Sequence, residues 1–214
     1  MTGCAVGEWN GSESRVSESI LGGTFDPIHC GHLGIAEEVM ARLSLAQVLF
    51  IPTGQPWLKV DRAISPAVHR VEMARLAISS HHHFKLSTME IDRPGPSYAV
   101  DTLASLQSEL GAETRLFFIL GWDSLAEFHK WKDPARLVQM CQLVAVPRPG
   151  SRPPDISALE SAVIGISLRV IMLDIAVIDI SASDIRRRVA QGLSISELVP
   201  KAVERYVLEQ RLYL

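Results

Sequence analysis

The chain has 214 residues, of which 47% are hydrophobic and 21% are charged, values that are ordinary for a folded globular protein. This length allows one sizeable hydrophobic core. The formal net charge of -3 argues against a general nucleic-acid-binding protein, which usually carries a strong positive balance. Three cysteines without CxxC spacing provide no disulfide framework, so we expect a cytoplasmic protein in a reducing compartment.

No uninterrupted apolar run is long enough to span a bilayer, so we expect no membrane as a partner. Because of the negative net charge, we expect no nucleic acid as a partner either. Residues 1–14 are polar and small, and they lack the apolar centre of a signal peptide. We expect them to form a disordered extension, followed by a single domain over residues 15–214. The sequence leaves open whether the protein forms a homo-oligomer.

Strand and helix patterns alternate along the chain, which is typical of a parallel sheet covered by helices. In the first half, the predicted elements are a strand that ends at Leu21, a helix over 31–43, a strand over 48–51, a helix opened by Ser65-Pro66, and a strand through Phe84, Leu86 and Ile91. Within the helix that follows Ser65, the apolar residues Val71, Ala74 and Ile78 recur at helical spacing.

The second half continues the alternation. Its predicted elements are a helix capped by Ser97, a strand over 116–120 that ends at Gly121, two short helices around Leu125 and Leu137, a strand over 143–146, a surface linker over 150–155, strands over 170–173 and 176–180, and helices from Ser181 and from about Pro200. We therefore predict an α/β fold with a Rossmann-like, doubly wound parallel sheet flanked by helices and a small C-terminal helical part.

Residues 22–32 lie between a predicted strand and a predicted helix and read Gly-Gly-Thr-Phe-Asp-Pro-Ile-His-Cys-Gly-His. Open α/β sheets bind ligands outside the carboxyl ends of their strands. The glycines let a ligand approach the backbone, and a helix N-terminus favours negative charge. His29 and His32 are three residues apart, so they can face one way. This turn predicts a polyphosphate site.

Residues 181–186 offer a second helix start at a predicted strand end. Ser181 and Asp184 have the spacing of a capping box, Ser183 offers a hydroxyl, and Arg186 lies one turn into the helix. Alone, this pattern fits a plain cap with solvated arginines at 186–188. Paired with the first turn, it favours a second clamp for phosphates.

Four further residues have both a functional and an ordinary interpretation. Lys59 and Arg148 follow predicted strands and could bind phosphates or remain solvated. Asp123 could accept hydrogen bonds from hydroxyl groups of a ribose or cap the next helix, and Trp131 could stack on a ligand or pack internally.

Residues 81–83 are three histidines, but no carboxylate or cysteine frames them, so we expect a solvated loop. The chain has neither a GxxxxGK[ST] loop nor a GxGxxG fingerprint, which weakens a dehydrogenase hypothesis.

Residues 22–32 resemble the GGTFDPxHxGH motif of nucleotidyltransferases with the HxGH signature, and residues 180–186 resemble their ISxTxIR motif. Within that superfamily, further segments resemble bacterial nicotinate-nucleotide adenylyltransferases. These segments are Ile51-Pro52 with Pro56 and Lys59, Pro96-Ser97-Tyr98 with Thr102-Leu103, residues 118–125, Trp131, and Arg148-Pro149-Gly150. The resemblance runs in order from about residue 16 to the C-terminus.

The resemblance implies adenylyl transfer from ATP to nicotinate mononucleotide with Mg²⁺ as cofactor, giving deamido-NAD and pyrophosphate. It implies that the catalytic residues are His29, His32, Lys59 and Arg186. It implies that ATP is bound by Gly22, Gly23, Thr24, Phe25, Gly121, Asp123, Ile180, Ser181 and Ser183. It implies that the acceptor is bound by Ser97, Tyr98, Trp122, Trp131 and Arg148. No protein metal ligand is implied, because phosphates mainly hold Mg²⁺.

Several positions depart from the family pattern. Glu18 and Ser19 stand where apolar or glycine residues are usual in the first strand. Ala99 replaces a common threonine, Leu58 stands where many relatives have histidine, and Ser183 replaces threonine but keeps the hydroxyl. Of these differences, Ala99 bears on how tightly the acceptor binds.

Two alternatives stay open at this point. One is a sister adenylyltransferase that uses nicotinamide mononucleotide or phosphopantetheine, and the other is a catalytically silent nucleotide-binding protein. Trp131 and Arg148 favour a pyridine mononucleotide as the acceptor. Retention of both histidines, Lys59 and Arg186 favours an active enzyme.

Overall fold

Six strands and nine helices form the part of the chain that the computed structural model describes, residues 17–56, 64–148, 150–176 and 178–214. The strands are β1 Ser17–Gly23, β2 Val48–Pro52, β3 Phe84–Leu86, β4 Arg115–Gly121, β5 Cys141–Val146 and β6 Val170–Met172. The helices are α1 Cys30–Leu43, α2 Ala67–Ile78, α3 Met89–Asp92, α4 Ala99–Leu110, α5 Trp122–Ala126, α6 Pro134–Met140, α7 Ile156–Ala162, α8 Ala182–Ala190 and α9 Lys201–Glu209. The extension predicted over residues 1–14 lies outside the described ranges.

The six strands are parallel, and their order across the sheet is β3-β2-β1-β4-β5-β6. The chain runs outward from β1 to β3, returns to the centre at β4, and then runs outward to β6. This is the doubly wound arrangement of Rossmann-like folds, so the predicted fold class is confirmed. The direction of winding changes between β1 and β4, which is the point where such sheets bind ligands.

Helices cover both faces of the sheet. On β4, Phe117 and Ile119 belong to a hydrophobic cluster with residues of α1, α2, α8 and α9, whereas Phe118 and Leu120 belong to a cluster with residues of α4, α6 and α7. Because successive side chains of a strand point to opposite faces, these clusters lie on opposite sides of the sheet. Within the described ranges, no helix combines the length and apolar character needed to cross a membrane.

Two polar residues are buried in β1 without interrupting it. The Ser19 hydroxyl donates to the carbonyl oxygen of Gln47, and the Gln47 side-chain amide donates to Glu18 over 2.5 Å. Burial raises the pKa of Glu18, while the bond from Gln47 partly offsets that effect. The strand therefore accommodates both departures from the family pattern through bonds to the residue that precedes β2.

Two predicted strand assignments are wrong. Ile91 lies in the single-turn helix α3, where its N–H donates to the carbonyl oxygen of Thr88 over 2.7 Å. The described residues of the 176–180 segment form no strand. There the N–H of Ile180 donates to the carbonyl oxygen of Ile178 over 2.8 Å, which makes a tight turn. In this segment the side chain of Ile178 packs against α1 at Gly34, and the backbone does not pair as a strand.

Two helix starts differ from the prediction, and one helix was not predicted. Pro66, and not Ser65, is the N-cap of α2, and Tyr98, and not Ser97, is the N-cap of α4. The helix α7 was not predicted, although Asp155 caps it by accepting a hydrogen bond from the N–H of Ala158 over 3.0 Å. Ser97 does not cap α4 because its hydroxyl accepts hydrogen bonds from the N–H groups of Gly54 and Gln55, in the loop after β2.

Candidate active site

A cavity of about 690 Å³ opens at the carboxyl ends of the central strands. Its walls include Gly23 at the end of β1, Asp123 in α5 after β4, Pro147 after β5, and Ser181 at the start of α8. A smaller cavity of about 80 Å³ adjoins it and includes Gly121 at the end of β4. The two cavities therefore occupy the switch point of the sheet, where ligands are expected.

Most of the predicted site residues lie in the wall of the larger cavity. They are Gly22, Gly23, Thr24, Phe25, His29, His32, Ser97, Asp123, Trp131, Arg148, Ile180, Ser181, Ser183 and Arg186. Gly121 lines the adjoining smaller cavity. Lys59 lies outside the described residues. Tyr98 and Trp122 line neither of these two cavities.

Tyr98 and Trp122 pack against the hydrophobic cluster that contains residues of α4, α6 and α7. Tyr98 is the N-cap of α4, and the ammonium group of Lys132 lies 4.3 Å from the centre of its ring. Trp122 begins α5, and its buried Nε1 has no hydrogen-bond partner among the described residues. Ala99, which follows Tyr98, does line the larger cavity. At the start of α4, Ala99 and not Tyr98 therefore contributes to the cavity wall.

His29 and His32 face the cavity together at the start of α1. Their rings are stacked, with 3.7 Å between centroids and an interplanar angle of 27°. The backbone N–H of His29 donates to Nδ1 of His32 over 3.2 Å. Because Nδ1 accepts this bond, the proton of the neutral His32 ring is on Nε2. Phe25 packs edge-on against His32 and fixes the plane of its ring.

His29 is buried in a way that disfavours its charged form. Its side chain lies in the wall of the cavity, and its Nδ1 has no hydrogen-bond partner among the described residues. Burial, followed by the positive charge of Arg148, lowers the pKa of His29 to about 4. The imidazole is therefore neutral near pH 7, and a bound polyanion would favour its protonation.

The lowered pKa of His29 predicts acid sensitivity of the fold. Between the ordinary pKa of 6.5 and about 4, the unfolded chain binds a proton that the folded chain does not, so stability falls as pH falls through this window. Relative to a His29→Asn variant, the wild type should lose on the order of 3 kcal/mol more between about pH 7 and about pH 4. Urea unfolding at both pH values measures this difference.

A matched control for that experiment is His82→Asn, because His82 is an exposed histidine outside the cavity. This variant should lose stability with falling pH as the wild type does. Equal pH dependence of the wild type and the His29→Asn variant would contradict the role of His29 burial.

Arg186 links the first turn of α8 to the turn before α1. Its Nη1 donates to the carbonyl oxygen of Asp26 over 2.6 Å, and its Nη2 donates to the Ser183 hydroxyl over 3.2 Å. Ser181 caps α8 as predicted, because its hydroxyl accepts a hydrogen bond from the N–H of Asp184 over 3.1 Å. The N-termini of α1 and α8 thus meet at one cavity, and each favours negative charge there.

Two glycines of α1 leave room for neighbouring side chains. A Cβ on Gly34 would overlap the side chain of Ile178, and a Cβ on Gly31 would lie 3.0 Å from Nδ1 of His29. Ile178 and Ile180 both line the cavity. The glycine of the HxGH motif therefore leaves room for the His29 ring.

An aromatic and cationic surface forms another part of the cavity wall. Trp131 packs edge-on against Phe118 with 5.9 Å between ring centroids, and it lies 5.2 Å from the ring of Phe128. Nearby, Arg148 Nη1 lies 3.4 Å from a carboxylate oxygen of Asp123, and both side chains are about half exposed. This wall thus presents an indole held by two phenyl rings and a guanidinium group next to it.

Sequence reasoning missed Arg70, a buried arginine that ties the loops of the site together. Only 2% of its surface is exposed. Its Nε donates to the carbonyl oxygen of Ser65, its Nη1 to those of Thr24 and Thr53, and its Nη2 to that of Gly54, over distances of 2.6–3.2 Å. One guanidinium group therefore joins the loop after β1, the loop after β2 and the start of α2.

A signal for Arg70 was present in the helical pattern. The buried residues of α2 are Arg70, Met73, Ala74, Ala77 and Ile78, which follow i, i+3, i+4, i+7 and i+8 spacing. Of the three apolar residues noted at helical spacing, Ala74 and Ile78 are buried and Val71 is partly buried. Arg70 is the first residue of this otherwise apolar stripe, and this position indicates a buried arginine that needs several hydrogen-bond acceptors.

Sequence reasoning also missed Glu90, a buried carboxylate that lines the cavity. The hydroxyls of Thr102 and Ser97 donate to it, Thr102 over 2.7 Å, and burial raises its pKa. Ser97 in turn accepts hydrogen bonds from the N–H groups of Gly54 and Gln55 over 3.0 and 3.2 Å. A Cβ on Gly54 would overlap the carbonyl oxygen of Glu90. Ser97 thus ties the loop after β2 to the turn before α4.

The fold and this cavity define a nucleotide-binding α/β protein with two helix N-termini at one crevice. Residues 20–188 match the family model described as Cytidylyltransferase-like. A protein from Dehalococcoides mccartyi named "Probable nicotinate-nucleotide adenylyltransferase" is 47% identical over 194 residues, which cover 91% of this chain and 95% of the relative.

Solved structures show the same architecture. The Plasmodium falciparum nicotinic acid mononucleotide adenylyltransferase complexed with NaAD superposes with a TM-score of 0.76 at 19% identity, covering 93% of this chain and 98% of that chain. The same Plasmodium enzyme complexed with APC gives a TM-score of 0.73 at 18% identity over equal shares. The present chain belongs to the cytidylyltransferase-like family, and within it to the nicotinate-nucleotide adenylyltransferases. The resemblance inferred from its motifs is thereby confirmed.

Proposed function

We propose that this chain transfers the adenylyl group of ATP to nicotinate mononucleotide and releases deamido-NAD and pyrophosphate. An oxygen of the mononucleotide phosphate attacks the α-phosphorus of ATP, and the bond from that phosphorus to the β-phosphate oxygen breaks. One observation carries this proposal. A single cavity is lined both by His29, His32 and Arg186 and by Trp131 and Arg148, so it can hold a triphosphate beside an aromatic mononucleotide.

The triphosphate would lie against the N-termini of α1 and α8. Thr24 and its neighbouring N–H groups would contact the α-phosphate, and His29 and His32 would stabilise the charge that develops during transfer. Arg186, Ser183 and Lys59 would hold the remaining phosphates. Support comes from the convergence of both helix starts, the two imidazoles and the Arg186 guanidinium on one cavity.

The other ATP contacts would come from the ends of β1 and β4 and from the start of α8. Asp123 and Gly121 would bind the adenosine ribose. Backbone groups would complete the ATP site. These are the backbone groups of Gly22, Gly23, Phe25, Ile180 and Ser181. All of these residues line one or other of the two adjoining cavities.

The acceptor would lie against the aromatic and cationic wall. Trp131 would stack on the pyridine ring, and Arg148 would bind the mononucleotide phosphate. Ser97 would act by shaping the wall, because its hydroxyl is already bonded to Glu90 and to two N–H groups. Tyr98 and Trp122 would lie near this pocket, although neither lines the two cavities.

This reaction requires positioning and charge neutralisation more than proton transfer. The attacking phosphate is already an anion, so no general base is needed to generate the nucleophile. Alignment of the two substrates and stabilisation of charge on the transferred and departing phosphates can supply most of the rate enhancement. His29, His32 and Arg186 are suited to that task because they can donate hydrogen bonds to phosphate oxygens.

We propose that a magnesium ion binds in this cavity mainly through triphosphate oxygens. In the described part of the chain, no group of three or more histidine, cysteine, aspartate or glutamate side chains is placed to hold a metal. Mg²⁺ commonly binds through substrate phosphates, water and one or two carboxylates instead of a full protein cage. When bound, it would neutralise charge on the phosphates.

We also propose that residues 15–214 form one nucleotidyltransferase domain. The residues assigned to ATP and those assigned to the acceptor line one cavity on one parallel sheet. The family model extends across most of this length, over residues 20–188.

Pyrophosphate release tests the proposed function directly. It is measured with ATP and one of three acceptors, namely nicotinate mononucleotide, nicotinamide mononucleotide or phosphopantetheine. We expect the highest kcat/KM with nicotinate mononucleotide. Equal or faster turnover of either other acceptor would overturn the acceptor assignment. ATP binding without pyrophosphate release from any acceptor would identify a catalytically silent nucleotide-binding protein.

Replacement of Trp131 by alanine should weaken the acceptor and leave ATP almost unaffected. Loss of one ring-stacking surface corresponds to about 1–3 kcal/mol, so KM for nicotinate mononucleotide should rise roughly tenfold to a hundredfold. The conservative variant Trp131→Phe should retain most of the affinity. Steady-state kinetics with each substrate varied in turn measure the effect. An equal loss for both substrates would contradict a stacking role.

A further inference from the structure

Tyr213 connects the segment after α9 to the turn between β1 and α1. Its hydroxyl donates to Oδ1 of Asp26 over 2.7 Å, and the N–H of Ser65 donates to Oδ2 over 3.1 Å. Asp26 is buried and lines the cavity. Burial and the charge of Asp26 raise the pKa of Tyr213, so its hydroxyl keeps its proton. The Asp26 carboxylate is therefore held at both of its oxygens.

Asp26 also contacts Arg186, through a different atom. The carbonyl oxygen of Asp26 accepts the hydrogen bond from Arg186 Nη1 over 2.6 Å. Because this carbonyl and the carboxylate belong to one residue, contacts that fix the side chain also limit movement of the backbone. Tyr213 and Arg186 are thus joined through Asp26, although Tyr213 does not line the cavity.

The backbone of Tyr213 is in an uncommon conformation. Its φ angle is 69°, in the left-handed region that residues with a Cβ rarely adopt. Such conformations persist where the surrounding structure holds them. The hydrogen bond to Asp26, together with a 3.8 Å contact from the Tyr213 hydroxyl to Sδ of Met73, supplies contacts of this kind.

We propose that Tyr213 is a positioning residue that holds Arg186 toward the triphosphate by fixing Asp26. The inference rests on the proposed function, because it takes Arg186 as a ligand of the ATP phosphates. Tyr213 itself touches no substrate in this arrangement. Its hydroxyl restrains Asp26, and the Asp26 carbonyl restrains the Arg186 guanidinium.

The first test is the variant Tyr213→Phe, which removes the hydroxyl and keeps the ring. Its affinity for inorganic triphosphate should be about tenfold lower than that of the wild type, as expected for loss of one hydrogen bond to a charged group. Its affinity for adenosine should not change, and kcat/KM for ATP should fall about as much as triphosphate affinity. Isothermal titration calorimetry and steady-state kinetics provide these values.

The second test combines Tyr213→Phe with Arg186→Ala. If Tyr213 acts through Arg186, adding Tyr213→Phe to the Arg186→Ala variant should not lower triphosphate affinity further. A merely structural role of Tyr213 would instead give the same additional loss in both backgrounds. Asp26→Asn provides a second route to the same link, because it keeps the side-chain shape and weakens the acceptor of the Tyr213 hydroxyl.

Tyr206→Phe is a matched control on α9. Its hydroxyl bonds to Nδ1 of His69 over 2.9 Å, away from Asp26 and Arg186. Tyr206→Phe should lower thermal stability about as much as Tyr213→Phe does, but it should leave triphosphate affinity unchanged. Wild-type triphosphate affinity in both Tyr213→Phe and Asp26→Asn, or additive losses in the double variant, would overturn the proposal. Absence of pyrophosphate release by the wild type would contradict the proposed function, while triphosphate binding would still decide the role of Tyr213.

Discussion

Replacement of His32 by alanine is expected to lower kcat about 10²–10³-fold, the usual loss when one well-placed charge-stabilising donor is removed. His32 lines the cavity, and its Nδ1 accepts the N–H of His29, which leaves Nε2 as the protonated nitrogen of the neutral ring. KM for ATP should change much less than kcat, because the donor matters most when charge develops on the transferred phosphate. Steady-state kinetics at saturating Mg²⁺ measure both constants.

His82→Ala is the matched control for this prediction, because His82 is exposed and does not line the cavity. It should retain wild-type kcat. Circular dichroism and thermal unfolding should show that His32→Ala remains folded, although the variant loses the ring contacts with His29 and Phe25 and the acceptor of the His29 N–H. An unchanged kcat in folded His32→Ala protein would refute the assigned role.

Replacement of Arg70 by methionine is expected to lower the free energy of unfolding by about 3 kcal/mol or more, since each buried acceptor left without a partner costs about 1–3 kcal/mol. Methionine fills similar space but cannot donate to the carbonyl oxygens of Ser65, Thr24, Thr53 and Gly54. Some of these carbonyl groups will find water, which keeps the expected loss below the sum for four acceptors. Urea unfolding at neutral pH measures the loss.

Arg75→Met on the same helix is the control for Arg70→Met. Arg75 is exposed and pairs with Glu72 three residues earlier, an arrangement that contributes about 0.5 kcal/mol or less. Since Arg70 holds the loops that form the cavity, its replacement should also raise KM for ATP, whereas Arg75→Met should not. Similar unfolding free energies for the two variants would contradict the role of Arg70 as the tie between the loops.

The parts of the site that were predictable from sequence are local in the chain. The turn over 22–32 contains its glycines, both histidines and a helix start within a few residues, so their common direction follows from helix geometry. Ser181 likewise predicts the cap of α8 from a spacing of three residues. The alternation of strands and helices then places both turns at one edge of a parallel sheet.

The parts that were not predictable depend on contacts between distant residues. In the sequence, the hydrogen-bond partners of Arg70 cannot be identified, because its four carbonyl acceptors come from loops that only the fold brings around it. Ser97 has the spacing of a helix cap, but its hydroxyl bonds to Gly54 and Gln55, which are more than 40 residues away in sequence. The 176–180 segment is apolar enough for a strand, yet Ile178 packs over Gly34 of α1 instead.

Two of the hydrogen bonds that fix Asp26 have a consequence for the order in which the protein folds during synthesis. Its partners Arg186 and Tyr213 follow it by 160 and 187 positions along the chain. The ribosome releases N-terminal segments first, and contacts of large sequence separation form slowly because a long loop must close. The turn over residues 22–32 therefore emerges before Arg186 and Tyr213, and a nascent chain gains the proposed triphosphate site only after both residues have been made.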